Sequence, residues 1–214
     1  MGAFIVCVHA TPRAVGPAAE LLAQRPGYRH QDMLEPGLLE HAQAVQRGRE
    51  LFARVLAQAA TLRPDAILTT CSMYTRFLPA LRSTLARPVL GIDEPMIDAA
   101  AGASGRLALV GSIPEAIEQT AGLIRERAQA MNRVVSINRT LLLAPGAAEA
   151  GREADEASRR IDAVAREVET IVIVQLSLSR LAKRLAPDVR RRTLTSFDTA
   201  LSRLDAILDQ ETRA

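Results

Sequence analysis

The chain of 214 residues has no tryptophan and only two cysteines, and aromatic residues make up 3% of it. Such a low aromatic content argues against binding of single-stranded nucleic acids, which uses stacking of bases on aromatic rings. Two cysteines do not make a disulfide framework in a chain of this length, so we expect a reduced, cytoplasmic protein. No apolar run approaches the roughly 20 residues that cross a bilayer. The N-terminus has no basic leader, so we expect neither membrane insertion nor a signal peptide.

Lysine is also scarce: of the 27 basic residues, Lys183 is the single lysine and the others are arginines. Basic and acidic residues are interleaved and the formal net charge is +3, which is typical of a solvated surface rather than a nucleic-acid interface. No Cys/His cluster has the spacing of a metal site, and no glycine-rich loop of a nucleotide-binding type is present. We therefore expect no metal, no bound nucleotide and no nucleic-acid partner.

The sequence does contain 48% hydrophobic residues, enough to bury a core in one large domain or two small ones. Short apolar runs alternate along it with longer helical patterns. The predicted strands are 3–8, 28–34, 66–70, 88–92, 106–110, 134–143, 170–174 and 193–195. The predicted helices are 13–24, 38–62, 73–85, 96–103, 115–131, 147–167, 178–185 and 197–208. This alternation predicts an α/β fold with parallel sheets flanked by helices.

Polar residues follow several of these strands, at 9–11, 70–72, 111–112 and 175–177. Ligands of parallel sheets gather beyond the carboxyl ends of the strands, near helix N-termini. Two of these strand ends have the same form, one followed by Cys71 and the other by Gln175. This similarity predicts two similar α/β halves that face one cleft.

Cys71 is the first candidate for a catalytic residue, because a buried strand delivers its thiol to the start of a helical segment. Amides at a helix end lower the pKa of a thiol, and the resulting thiolate is a good base and nucleophile. The hydroxyls of Thr70 and Ser72 beside it are suited to hold a carboxylate or to stabilise an enolate. The same local pattern also fits a small buried residue that merely ends a strand.

Two further strand ends carry candidate binding residues. His9 follows the first strand, before Thr11, where it could bind a substrate carboxylate, assist proton movement, or simply be hydrogen-bonded at the strand end. Gly111 and Ser112 supply a glycine turn and a hydroxyl at a helix start, which fits either a generic anion site or a plain helix cap.

The sequence resembles the aspartate/glutamate/hydantoin racemase superfamily, above all its poorly characterised members. The resemblance is carried, in family order and spacing over nearly the whole chain, by segments 8–12, 70–72, 92–96, 109–112 and 174–178. It implies two pseudo-symmetric α/β domains, residues 1–92 plus about 186–214 and residues 93–185, with the active site in the cleft between them. It also implies a reaction without a cofactor, in which one cysteine from each domain acts on opposite faces of the substrate α-carbon.

By position, Cys71 matches the first-domain cysteine of the family and Gln175 takes the place of the second. A side-chain amide is neither an acid nor a base at neutral pH, so a single thiol would serve one face of the substrate. The superfamily includes single-cysteine decarboxylases and cysteine-dependent maleate isomerases. We therefore expect a cofactor-independent isomerase, racemase-like or decarboxylase-like, that acts on a small carboxylate or amide through the Cys71 thiolate and an enolate-type intermediate.

The expected substrate-binding residues are His9, Thr11, Thr70, Ser72, Gly111, Ser112, Gln175 and Ser177. Two alternatives stay open: a non-catalytic small-anion binding protein on the same fold, and a different α/β enzyme in which Cys71 is structural. We also expect a homodimer, as is common for small α/β enzymes. The apolar face of the predicted helix 38–62 is either its interface or a cover for the sheet.

Overall fold

The computed structural model describes residues 2–42, 44–149 and 151–213, with side chains up to residue 210. The chain divides into two compact units. Unit 1 comprises the residues up to Ile92 together with the C-terminal segment from Ala200, and unit 2 comprises Asp93–Thr199. Within the described ranges, no helix is both long enough and apolar enough to cross a membrane.

Strands and helices alternate along the chain. The strands are β1 (Phe4–His9), β2 (Arg29–Leu34), β3 (Ala66–Thr69), β4 (Val89–Gly91), β5 (Arg106–Gly111), β6 (Ser136–Leu142), β7 (Thr170–Ile173) and β8 (Thr193–Thr195). The helices are α1 (Val15–Leu22), α2 (Gly37–Glu40), α3 (Val45–Thr61), α4 (Leu78–Arg82), α5 (Glu94–Gly102), α6 (Pro114–Ala130), α7 (Arg152–Val164), α8 (Pro187–Arg190) and α9 (Ser196–Arg213).

The two sheets have the same topology. Unit 1 contains the order β2-β1-β3-β4 and unit 2 the order β6-β5-β7-β8, and every pairing in both sheets is parallel. The last pair between the two central strands is Val8 with Thr69 in unit 1 and Val110 with Ile173 in unit 2. The predicted fold class, two α/β halves with parallel sheets flanked by helices, is therefore confirmed.

Apolar runs place the central strands in the core of each unit. Successive residues of a strand point to opposite faces, so in unit 2 Val110 packs with Ile161 of α7 whereas Leu109 packs with Ile124 of α6. Burial of each such aliphatic side chain contributes about 1.5–3 kcal/mol to folding. The sheet of unit 2 is thus covered on both faces, which fixes where its polar strand ends emerge.

The apolar face of α3 covers the sheet of unit 1. This helix packs against β1 and β3, and its side chains Phe52, Val55 and Leu56 are buried. The interpretation of this face as a cover for the sheet is confirmed.

Several predicted helices are shorter than the apolar pattern suggests. The predicted helix 38–62 divides into α2 and α3, and the Leu38 carbonyl accepts a hydrogen bond from Tyr74 Oη at 2.6 Å. In a continuous helix that carbonyl would accept from the backbone four residues later. After β3 and β7 the chain forms 3₁₀ turns, Ser72–Phe77 and Leu176–Arg184, where regular helices were predicted.

One edge of the sheet of unit 2 is formed by β8. This strand pairs in parallel with β7, with Ile173 opposite Thr195, so unit 2 extends to Thr199. The domain boundary near residue 186 that the sequence favoured placed the same strand in the first domain. A three-residue strand leaves little local signal of the sheet that it joins.

Candidate active site

Cys71 lies just beyond the carboxyl end of β3. Its backbone is extended, with φ −97° and ψ 107°, and it immediately precedes the 3₁₀ turn Ser72–Phe77. The residue is half-buried, whereas the second cysteine, Cys7, is fully buried within β1. Burial, and to a lesser extent the charge of Asp32, raises the pKa of the Cys7 thiol far above its usual range. Of the two free thiols, Cys71 is therefore the accessible one.

A hydrogen-bonded chain of three side chains lies beside Cys71 in unit 1. His9, at the end of β1, is fully buried. Its Nδ1 lies 2.9 Å from Thr70 Oγ1, and its Nε2 lies 2.9 Å from Asp32 Oδ1. Because both ring nitrogens already have protein partners, His9 is placed to orient Thr70, the residue that precedes Cys71.

The partners of His9 assign its tautomer. An ionised carboxylate only accepts hydrogen bonds, so Nε2 carries the proton that faces Asp32. With Nδ1 unprotonated, the one hydrogen of the Thr70 hydroxyl is donated to it at 2.9 Å in preference to the Val8 carbonyl at 3.3 Å. Burial lowers the pKa of His9, against the opposing effects of the hydrogen bond and charge of Asp32. The imidazole is therefore neutral at neutral pH, and its direction of hydrogen bonding is defined.

Cys7 shares this face of the sheet with the His9–Asp32 pair. Its Sγ, a His9 ring nitrogen and an Asp32 oxygen lie within 4.8 Å of one another, because Cys7 and Asp32 are register partners on β1 and β2. These are donor types that zinc accepts. In this structure His9 Nε2 is hydrogen-bonded to Asp32, and burial raises the pKa of the Cys7 thiol.

In unit 2 the corresponding strand ends bring Ser112 and Gln175 together. Gln175 Oε1 accepts from the Ser112 backbone N–H at 2.6 Å and lies 3.2 Å from Ser112 Oγ. A backbone N–H can only donate, so the amide oxygen is the atom that faces it. The amide nitrogen of Gln175 then points away with two hydrogens to donate. Half-buried Gln175 is therefore suited to bind an anion or carbonyl oxygen.

The identical topology of the two sheets makes their strand ends comparable. Cys71 and Gln175 both follow a central strand by two residues and both precede a 3₁₀ turn. By the same register His9 corresponds to Gly111, and Thr70 corresponds to Val174. A Cβ on Gly111 would lie 2.9 Å from Val174 Cγ2 and closer still to Ile117. Unit 2 thus has tight apolar packing where unit 1 has the polar pair behind its cysteine.

The remaining predicted residues occupy the same strand ends. Thr11 Oγ1 accepts from the Arg13 backbone N–H at 3.4 Å and caps the 3₁₀ turn Pro12–Ala14. Half-buried Ser72 and Ser177 lie in the turns that follow Cys71 and Gln175.

Asp32 and Tyr74 were not among the residues predicted from the sequence. Asp32 lies on the exposed edge strand β2, and only the register of β2 beside β1 brings its carboxylate to His9. Tyr74 is fully buried three residues after Cys71. Burial, and to a lesser extent the charge of Cys71, raises the pKa of Tyr74 to about 12. The positive charge of Arg76 acts in the opposite direction.

Comparison with known protein families gives one match that spans most of the chain. The family model described as Asp/Glu/Hydantoin racemase matches residues 18–204. A search of the curated proteins finds no match.

Solved structures with the same fold are numerous. An allantoin racemase from Klebsiella pneumoniae has a TM-score of 0.71 at 15% identity, over 98% of this chain and 89% of that one. A glutamate racemase isoform from Bacillus anthracis has a TM-score of 0.67 at 17% identity, over 98% and 82%. A maleate isomerase from Pseudomonas putida, solved with maleate, has a TM-score of 0.66 at 14% identity, over 98% and 93%. At these identities the similarity shows the fold.

Proposed function

Because the chain belongs to the Asp/Glu/hydantoin racemase family, we propose that it is a cofactor-independent isomerase or decarboxylase with Cys71 as its single catalytic thiol. The substrate is a small carboxylate or amide. The observation that carries the proposal is the difference between equivalent strand ends: a half-buried thiol with polar side chains behind it in unit 1, and an amide with apolar packing behind it in unit 2.

The proposed chemistry uses one thiol on one face of the substrate. The Cys71 thiolate removes the proton from the carbon next to a carboxylate, and the electron pair moves onto the carboxylate as an enolate-type intermediate. The thiol then delivers the proton on the same face to another atom of the conjugated intermediate, which isomerises the substrate; return to the original carbon only exchanges the proton with solvent. In a decarboxylation, carbon dioxide leaves first and the thiol protonates the resulting carbanion.

Among the proposed substrate-binding residues, Gln175 has a side-chain donor group whose accompanying oxygen already has a protein partner. Gln175 Nε2 has two hydrogens to donate, since its oxygen is held by Ser112. Donors aimed at a developing oxyanion lower the barrier more than those that bind the ground state equally well. The full proposed set is His9, Thr11, Thr70, Ser72, Gly111, Ser112, Gln175 and Ser177, in which buried His9 acts by orienting Thr70.

A substrate screen in deuterated water tests this function. The panel follows the chemistry of the structural relatives and contains allantoin, glutamate, aspartate, hydantoins, substituted malonates and maleate. We expect deuterium uptake without inversion, decarboxylation or isomerisation of at least one compound. Failure of all three reactions across the panel would contradict the proposal.

A non-catalytic anion-binding protein is the second candidate, and the replacement of a thiol by Gln175 at the strand end of β7 favours it. Such a protein would bind one of these anions without turnover. Alkylation of Cys71 would leave that binding unchanged, whereas it would abolish turnover by an enzyme. Calorimetric titration before and after alkylation separates the two candidates.

We further propose that the protein is cytoplasmic and acts as a homodimer. Both of its cysteines are free thiols, which fits a reducing compartment, and symmetric dimers are the commonest assemblies of soluble proteins. Analytical ultracentrifugation tests the dimer, and a monomer throughout the micromolar range would contradict it.

A further inference from the structure

We propose that Asp32 is a positioning residue for Cys71 and acts through His9 and Thr70. This inference rests on the proposed role of Cys71 as the catalytic thiol. Asp32 lies on β2, beside β1, and its carboxylate reaches the buried His9 ring at 2.9 Å. The link to Cys71 is the sequence of contacts from Asp32 to His9 to Thr70.

The first contact of this link joins Asp32, which is partly exposed to solvent, to His9 in the core. The Asp32 side chain is 29% exposed, whereas His9 is completely buried. Among the described residues, two further titratable groups lie near this pair: His30, whose Nε2 lies 3.7 Å from Asp32 Oδ2, and the Cys7 thiol, whose pKa is raised by burial. Asp32 is thus the anionic partner that fixes which nitrogen of His9 is protonated.

The second step fixes the residue before Cys71. The Thr70 backbone N–H donates to the Val8 carbonyl at 3.0 Å, and its hydroxyl lies 2.9 Å from His9 Nδ1 and 3.3 Å from the same carbonyl. Thr70 and Cys71 share a peptide group, so the orientation of Thr70 sets the start of the extended Cys71 backbone. The Cys71 carbonyl in turn accepts from the Tyr74 N–H at 3.1 Å.

The hydrogen-bond directions depend on an acceptor at position 32, and an ionised carboxylate is a group that can only accept. With Asp32 ionised, the proton lies on His9 Nε2 and the Thr70 hydroxyl donates to Nδ1. An asparagine in place of Asp32 can donate to Nε2, which moves the ring proton to Nδ1. The Thr70 hydroxyl would then accept from His9 and donate to the Val8 carbonyl, so the same atoms would be bonded in the reverse direction.

The equivalent position in unit 2 argues that this cluster serves the thiol rather than the fold. There the matching residues are Gly111 and Val174, in tight apolar contact, and the sheet order is the same. The topology therefore does not need a polar pair at this place. The pair is found only in the unit whose strand end carries a cysteine.

The test follows the rate at which iodoacetamide alkylates Cys71, measured by mass spectrometry of the full chain across pH. Asp32→Asn and Thr70→Val should each slow alkylation at neutral pH by about 3- to 10-fold, the rate equivalent of about one hydrogen bond. The double variant should be no slower than either single one, because both changes break the same link. Glu40→Gln, which removes an exposed carboxylate elsewhere on unit 1, should alkylate like the parent protein.

Direct electrostatics predicts the opposite sign. Removal of the Asp32 charge alone would stabilise a nearby thiolate and accelerate alkylation. An unchanged or faster rate in Asp32→Asn, or independent effects in the double variant, would overturn the inference. Thr70→Ser keeps the hydroxyl and should retain most of the rate that Thr70→Val loses, which separates the hydroxyl from any general loosening of the fold.

A second readout does not depend on the thiol. Nitrogen-15 NMR of the imidazole should find the His9 proton on Nε2 in the parent protein and on Nδ1 in Asp32→Asn. The same tautomer in both proteins would overturn the inference. If Cys71→Ala kept full turnover, the proposed function would fail, yet the alkylation and NMR results would still report on the link between Asp32 and Cys71.

Discussion

Cys7 and Cys71 carry the same thiol in opposite surroundings. Cys7 lies inside a central strand, fully buried, with a pKa raised by burial and by the charge of Asp32. Cys71 lies two residues beyond a strand end and is half-buried. Reactivity of a thiol depends on its thiolate fraction and its access to solvent. Of the two thiols, Cys71 is therefore the one that a substrate or reagent can reach.

Alkylation of the native protein should modify Cys71 and spare Cys7. Iodoacetamide at neutral pH should add one carboxamidomethyl group, which peptide mapping should locate on Cys71. Unfolding in guanidinium chloride should expose Cys7 and allow a second addition. Modification of native Cys7 at a rate similar to that of Cys71 would contradict the burial described here.

Gln175 should contribute to stability through its oxygen alone. Gln175→Ala leaves the Ser112 N–H without its side-chain acceptor and should lower the free energy of unfolding by about 0.5–1.5 kcal/mol. Gln175→Glu keeps an acceptor at that position and should be closer to the parent protein. Urea denaturation measures both variants, and an equal loss in the two would argue against the hydrogen bond to Ser112.

At the scale of elements, the ends of the central strands follow directly from the sequence. The predicted central strands end at Val8, Thr70, Val110 and Val174, and each observed strand ends within one residue of these positions. Contacts between elements were not predictable in the same way. Asp32 reaches His9 because β2 pairs with β1. Tyr74 Oη donates a hydrogen bond to the carbonyl of Leu38 in α2, which is far from it in the sequence.

The turn from β5 into α6 requires a glycine. A Cβ at Gly111 would lie 2.6 Å from Ile117 Cγ1 and 2.9 Å from Val174 Cγ2, so Gly111→Ala should cost about 1–3 kcal/mol of stability. The matched control is Gly122→Ala in the middle of α6, where nothing lies within 4 Å. That change should stabilise the protein by about 0.5–1 kcal/mol. Thermal unfolding of both variants checks the prediction, which fails if they shift the midpoint in the same direction.

The 3₁₀ turn after Cys71 should make stability sensitive to high pH. Tyr74 has a pKa of about 12 in the folded protein against an ordinary value of 10.0. Between these values the unfolded chain binds fewer protons than the folded one, so stability falls as pH rises, by up to about 1.4 kcal/mol per pH unit. Tyr74→Phe should therefore flatten this decline.

The same variant should lose stability at neutral pH, because it removes the hydrogen bond from Tyr74 to the Leu38 carbonyl. A net loss of about 0.5–1.5 kcal/mol is expected for one such bond. Denaturant titrations at pH 7 and at several values above 10 measure both effects. An unchanged alkaline slope in Tyr74→Phe would show that other groups cause the decline.

In the whole molecule, the two units have the same strand order but different side chains at equivalent strand ends, Cys71 in unit 1 and Gln175 in unit 2. The sequence predicted the repeated α/β pattern, because alternating strands and helices impose parallel sheets. It also identified the thiol and the amide that occupy equivalent positions. The sequence did not predict the sheet to which β8 belongs, because a strand of three residues has too few side chains to indicate its partner strand. Nor could it reveal that His9 uses both nitrogens within the protein.

Unit 1 has a thiol at the strand end where unit 2 has an amide, so we propose that Cys71 acts alone on one face of the substrate. General-base catalysis by a positioned side chain contributes about 100- to 10,000-fold to a rate. The decisive experiment compares turnover of the substrate found in the screen between the parent protein, Cys71→Ala and Cys7→Ala. Cys71→Ala should lose at least about 100-fold in turnover with its fold intact by circular dichroism, whereas Cys7→Ala should keep most of the activity. Full turnover by a folded Cys71→Ala protein would contradict the proposal.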